Sequence, residues 1–359
     1  MIMKKILPLE TPFISGFPAT STVLSILQHH TESIPWIFNN YIQLFSASPE
    51  TNIDFFDVSI DNCPFLSVNT IDKGLLQENT DILEFILSAL DRGYYLTFMV
   101  DTSKIRAYKH GVKFHDPLFY GYDSEERRVF FSEYLDHRRY ARSSCSYEEL
   151  SEAIILDDLS DVDQRERFEQ DYTSIKLIRY DSSWCAYKVE LRTEYTERFA
   201  FSPDRVCQSF LDYLSGSVTS NWFTRIPYLS ADEKKCRYFG IGCYDLMALQ
   251  LEKNWESGRM PDGMRQSYYV MYTHKMMQQH RIRFMRQNGC LRNGDSHLEA
   301  WNTLADAVYL LLLCVLKENL KNTFQNGRKA ELLRRIDQLK ERETYAVKQF
   351  LEDMRACGD

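Results

Sequence analysis

The feature that most constrains this chain is a change of hydrophobic period at Ser202-Pro203-Asp204. Upstream, short β-branched and aromatic runs alternate with isolated helix signals, whereas downstream the apolar residues recur only at helical spacing. A chain that switches period once is expected to hold a mixed part followed by a helical one. The fold class expected is therefore α+β, with an antiparallel sheet in a domain over residues 1–200 and an all-helical domain over residues 201–359. Length agrees, because 359 residues exceed the ~250 to 300 at which a single core stops growing.

In the first part, residues 20–30 place Val23, Leu24 and Leu27 at helical spacing, just after Pro18, and predict helix one. Residues 81–90 read as a second helix. Residues 146–156 read as a third, opened by Ser146 and Glu149 in a capping-box pattern. Strands are predicted over residues 53–58, 94–100, 112–122, 127–134, 174–180 and 184–191. The turn residues Asp123-Ser124-Glu125-Glu126 make the 112–122 and 127–134 runs adjacent antiparallel strands. The acidic stretch 157–171 reads as a solvated surface excursion or short helix.

In the second part, Val206, Phe210, Leu211 and Leu214 share a face, and further helices are predicted over 244–253, 265–287, 297–322 and 328–354. The last is amphipathic around Leu332, Ile336, Leu339, Ala346 and Phe350. The longest apolar run, residues 307–316, has about half the ~20 residues of a bilayer span and reads as a buried helix. Residues 1–10 lack the apolar core and cleavage site of a secretion signal, so a cytoplasmic protein with no membrane association is expected. Nine cysteines, an odd number without a CxxC pair, fit free thiols better than disulfides or zinc. A net charge of -8 argues against nucleic acid as a partner.

One segment carries chemistry. Residues 114–123, FHDPLFYGYD, are followed by VFFSEY at 129–134. A histidine entering one strand and a carboxylate ending the next can stand side by side on a sheet, which is the base-and-orienter half of a nucleophilic triad. The plainer alternative is that His115, beside Asp116, is a satisfied hydrogen-bonding group at a strand start. Asp123 reads as a turn residue. His274 and His280 lie about 240° apart around a helix axis and do not share a face as metal ligands would, so no metal is expected. The run 280–286, HRIRFMR, reads as a solvated helix face. Gly240-Ile241-Gly242 lacks the third glycine of a dinucleotide loop.

The pattern His115-x5-Gly121-Tyr122-Asp123, followed by a strand ending in an acid, resembles the histidine region of papain-like and C39-like cysteine peptidases. Within that group it resembles the proteins related to butirosin biosynthesis protein H. Residues 94–101 and 146–150 stand where that family has its preceding strand and following helix, and Tyr238-Phe239-Gly240-Ile241 with Tyr244-Asp245-Leu246 is similar to its helical companion. The resemblance implies a papain-like fold for residues 1–200. It also implies acyl or peptidyl transfer in specialised-metabolite assembly of the nonribosomal peptide or polyketide type, in which an acyl group moves from a carrier-protein thioester to an amine.

Carried onto this chain, His115 is the implied general base and Glu133 the orienting acid, where the family has Asp. The implied nucleophile is a cysteine at the start of helix one, but residues 11–27, TPFISGFPATSTVLSIL, contain none; Gly16, Phe17, Pro18 or Ala19 stands there instead. Three readings stay open. The chain keeps the fold and binds a carrier protein, substrate or partner enzyme without turnover; or a hydroxyl at Ser15, Thr20, Ser21 or Thr22 replaces the thiol at the helix N-terminus, where the dipole favours an alkoxide; or Cys63 supplies a thiol from another loop. The implied partners are an acyl or peptidyl carrier protein with its phosphopantetheine-bound donor, which the arginines of 280–286 would suit, and an amine acceptor. No cofactor of the chain's own is implied, and a homo-oligomer is compatible. A non-catalytic scaffold and a C39-like peptidase are the other classes.

Overall fold

The computed structural model describes residues 3–16, 18–56, 60, 63–78, 80–109, 114–135, 140–154, 174–181, 199–217, 238–255, 262–321 and 326–358. The strands are β1 Lys4–Ile6, β2 Leu44–Ser46, β3 Asp54–Phe55, β4 Leu66–Asp72, β5 Tyr95–Thr97, β6 Val100–Asp101, β7 Phe114–His115, β8 Leu118–Asp123, β9 Arg128–Tyr134, β10 Tyr140–Ser146, β11 Ser174–Tyr180 and β12 Tyr238–Phe239. The helices are α1 Pro18–Leu27, α2 Ile34–Asn39, α3 Lys73–Gln77, α4 Ile82–Asp91, α5 Tyr147–Ala153, α6 Pro203–Ser215, α7 Cys243–Trp255, α8 Asp262–Gln287, α9 Gly294–Lys321 and α10 Asn326–Gly358. The chain is α+β, and its strands pair antiparallel among the described residues. Two compact units form, one of Met1–Thr11, Ser25–His30 and Cys63–Leu191, the other of Pro12–Leu24, Thr31–Asn62 and Arg192–Asp359.

The first unit is built on a seven-stranded sheet in the order β10-β9-β8-β5-β11-β4, with β1 added to β8. β8 shares one edge between two partners: Leu118 and Phe119 pair with β5, while Gly121, Tyr122 and Asp123 pair with β1. A bulge between Phe119 and Gly121 separates the two halves. At Gly121 a Cβ would lie 2.4 Å from the Lys5 carbonyl oxygen, so the close approach of β1 requires glycine there. Helix α4 buries Ile82, Ile86, Ala89 and Leu90, one face at helical spacing, and starts where the Asp81 side chain accepts from the Glu84 amide. It stops at Gly93, whose φ of 84° lets the Gly93 and Tyr94 amides turn back onto the Leu90 and Ala89 carbonyls. The predicted capping box of α5 is present, with Ser146 Oγ accepting from the Glu149 amide and Glu149 accepting from the Ser146 amide.

Two predicted strands are each broken in two. The 94–100 run divides into β5, in the large sheet, and β6, which pairs with β7. Between them the Met99 carbonyl accepts from buried Lys73 Nζ instead of a strand. The 112–122 run divides at Asp116-Pro117, because proline brings no N–H to a ladder. The 53–58 run shortens to β3 among its described residues, and the 184–191 strand and the 157–171 surface segment lie outside them.

The second unit is mainly helical. The expectation of only helices beyond residue 201 is corrected by β12, which pairs with β2 because Phe239 packs with Phe45 and Phe56 in a small aromatic core. In α10 the predicted face of Leu332, Ile336, Leu339, Ala346 and Phe350 is buried. In α6 the buried face is Val206, Phe210 and Tyr213, with Asp212 beside them. The 307–316 run is buried on one side only, at Val308, Leu311, Leu312 and Val315, while Tyr309, Leu310 and Leu313 stay exposed. By length and composition alone, the helix over Gly294–Leu320 is long and apolar enough to cross a membrane. The solvated reading of 280–286 is corrected at Arg281, which is fully buried and donates to the carbonyl oxygens of Phe38, Asn40 and Tyr41 at the end of α2; Arg283 and Arg286 are exposed.

Candidate functional site

The hairpin register brings His115 to Glu133. Leu118 at the head of β8 pairs with Ser132 near the end of β9. His115 precedes Leu118 across Asp116-Pro117, and Glu133 follows Ser132, so both side chains arrive at the same end of the hairpin. Two further bonds fix the histidine's backbone: His115 pairs with Val100 in the β6–β7 ribbon, and Thr97 Oγ1 donates to the Asp116 carbonyl at 3.1 Å.

Glu133 Oε2 lies 2.6 Å from His115 Nδ1, and Asp116 Oδ1 lies 3.5 Å from the same nitrogen. The Glu133 side chain is 2% exposed and its Oε1 accepts from the Tyr134 amide, which locks its rotamer. Nδ1 is sealed from solvent, with the Glu133 carboxylate its nearest charged neighbour. Among the described residues Nε2 has no partner and is not sealed, and a quarter of the side chain remains exposed. An ionised carboxylate only accepts, which leaves the proton of neutral His115 on Nδ1 and a bare lone pair on Nε2. Burial pulls the His115 pKa down, but the hydrogen-bonding and charge of Glu133 and the charge of Asp116 outweigh it, and the net shift is upward.

Tyr108 completes the cluster. Its ring stacks on Phe131 with centroids 5.7 Å apart, and its buried hydroxyl has no partner among the described residues. Burial, then the charges of Glu133 and Asp116, push its pKa well up, so it remains a neutral donor beside the two carboxylates. The donor atoms of His115, Asp116 and Glu133 all lie within 4.8 Å of one another, as metal ligands can. A tetrahedral ion holds its donors about 3.4 Å apart, however. At 2.6 Å, His115 Nδ1 and Glu133 Oε2 are spaced to share a proton and would have to separate to admit an ion.

The other expected site residues divide by burial. Ser15 is half-buried in the second unit, with its hydroxyl 3.1 Å from Tyr269 OH. Ser21 is fully buried and its hydroxyl donates to the Ile14 carbonyl at 3.2 Å. Thr20 and Thr22 are also buried, as is the free thiol Cys63; Phe17 lies outside the described residues. Asp123 is the turn residue expected, its Oδ1 accepting from the Glu125 and Glu126 amides. His274 is buried with Nε2 2.9 Å from the Ile42 carbonyl oxygen, while His280 stacks on Phe13.

Sequence reasoning missed Tyr108, which stands in no motif, and the pairing of His297 with Asp353. Those two residues are 56 apart in sequence, and only their helical periodicity hinted that they share the α9–α10 seam. No protein-family model matches this sequence, and no curated protein matches it either.

Proposed function

We propose that this chain catalyses acyl or peptidyl transfer from a carrier-protein thioester to an amine, in the cytoplasm, with a papain-like sheet domain presenting His115 as general base and Glu133 as the acid that orients it. The observation that carries this reading is the 2.6 Å contact of Glu133 Oε2 with His115 Nδ1, which leaves Nε2 open. The reaction class comes from the resemblance of residues 94–156 to the proteins related to butirosin biosynthesis protein H. His115 Nε2 removes a proton as the amine nitrogen bonds to the thioester carbonyl carbon; the C–S bond then breaks, and the imidazolium returns the proton to the departing thiolate. Residues 11–27 hold no thiol and the Ser21 hydroxyl is sealed, so direct attack by the amine is the route that needs no acyl-enzyme.

The test is to incubate the full chain with acyl-loaded carrier protein and an amine, and to follow the carrier by intact mass. Loss of the acyl mass with formation of an amide is expected, about 10²- to 10⁴-fold slower for His115→Ala. Cys63→Ser is expected to leave the rate unchanged, since Cys63 is 4% exposed. A second reading, a non-catalytic scaffold, is favoured by the missing thiol. A stable complex with the carrier and no product would replace the first reading by it.

A further inference from the structure

A second histidine–acid pair lies in the helical unit and shares no residue with the His115 cluster. His297 Nε2 is 3.1 Å from Asp353 Oδ2, and both side chains are more than nine-tenths buried, at 9% and 5% exposure. Asp353 also accepts from the Asn293 backbone amide and from Asn293 Nδ2, each at 3.0 Å. Among the described residues Asp353 has no lysine or arginine partner, so a nearly buried carboxylate is left with three N–H donors and no fixed cation. Because that carboxylate only accepts, Nε2 must donate, and neutral His297 carries its lone pair on Nδ1. Among the described residues Nδ1 has no hydrogen-bond partner, and it is not sealed from solvent.

His297 and Asp353 line a groove of about 810 Å³ between α9 and α10. That volume falls in the range of small-molecule sites. Ala300 and Leu304 form part of its apolar wall, and Glu341, Glu352 and exposed Tyr345 also line it. The lining carries three carboxylates against one guanidinium, that of Arg342. A ligand here therefore meets an excess of negative charge, an open imidazole acceptor and an aromatic face, all of which favour a donor-rich cation.

We infer that the α9–α10 groove is a binding site for a small cationic amine, which donates to His297 Nδ1 and supplies the positive charge that the Asp353 end of the groove lacks. The site is independent of the acyl-transfer reading, since it shares no residue with His115 and Glu133.

The test is isothermal titration calorimetry of the full chain with spermidine, alongside hexane-1,6-diol as a neutral probe and citrate as an anion. One saturable site for spermidine is expected, with no saturable heat from the diol or citrate. Ala300→Trp, which fills the groove one helical turn from His297, and His297→Ala are each expected to weaken binding at least tenfold. Glu352→Lys reverses a charge on an exposed residue, so it tests the electrostatics in a chain that keeps its fold, and it too is expected to weaken spermidine at least tenfold. Citrate binding in place of spermidine would overturn the proposal. So would spermidine binding that is unsaturable, or equal in wild type and the folded Glu352→Lys chain, because it would then be diffuse attraction to an acidic surface.

Discussion

His115 is subject to two opposing influences, and their balance can be measured. Burial favours the neutral ring, whereas Glu133 and Asp116 favour the charged one and prevail. Glu133→Gln keeps the size of the side chain and removes its charge, so the His115 pKa is expected to fall, as read from the imidazole C–H shifts in an NMR titration. The stability consequence has a definite sign. A folded-state pKa above the unfolded value gives stabilisation that is fully present below the unfolded pKa of about 6.5 and is lost as pH rises through the folded pKa. Wild type is thus expected to lose more urea resistance between pH 6 and pH 8 than Glu133→Gln; an equal loss in both would show that the pair does not govern the histidine. His115 and Glu133 were legible as candidates because a histidine and an acid stood at the ends of consecutive strands. Tyr108 was not, since its hydroxyl comes under the charges of Glu133 and Asp116 only after residues distant in sequence have packed.

At the scale of elements, local signals carried furthest where the interaction itself is local. The capping box of α5 closes within four residues, so Ser146 and Glu149 announce it without help from the rest of the chain. Ser146→Ala is expected to destabilise the sheet unit by about 1 kcal/mol, within a range of about 0.5 to 2, in urea denaturation. Gly121 is the contrary case. The sequence presents it as part of a histidine-region pattern, but its place is fixed by the Lys5 carbonyl of β1. Gly121→Ala is expected to release β1 from β8, seen as faster hydrogen exchange at the Ser124 amide, which otherwise donates to the Met3 carbonyl at 2.8 Å. Strand ends were misjudged for a related reason. Residues 94–100 and 112–122 each look continuous in hydrophobicity, but each changes partner midway, and a partner is not written in a period.

At the scale of the whole molecule, the helical unit is organised around a charge that no surface reading would place there. Glu343, fully buried, accepts from Tyr213 OH at 2.9 Å and Tyr244 OH at 2.6 Å, and pairs with buried Lys275 at 2.6 Å. Lys275 Nζ is in turn 3.1 Å from His274 Nδ1. These contacts tie α6, α7, α8 and α10 together at one point. Glu343→Ala leaves the Lys275 ammonium buried without its carboxylate and strips two phenols of their acceptor, so a loss of about 3 to 5 kcal/mol is expected. Urea denaturation followed by circular dichroism at a helix wavelength checks it, and a loss below about 1 kcal/mol would mean that the network relaxes to find other partners.

The sequence by itself determined the elements whose causes are local: the long helices of the second part, the apolar face of α10, the capped start of α5, and the candidacy of one histidine and one acid. Only the tertiary structure decided which of several similar residues became buried partners. Arg281 became a cap for the α2 carbonyls while Arg283 and Arg286 stayed in water, and His297 met Asp353 across a helix seam. The physical reason is range. Propensity, capping and periodicity act over a few residues of one segment, whereas desolvation and charge pairing depend on which segments come together, and that is fixed only when the core closes.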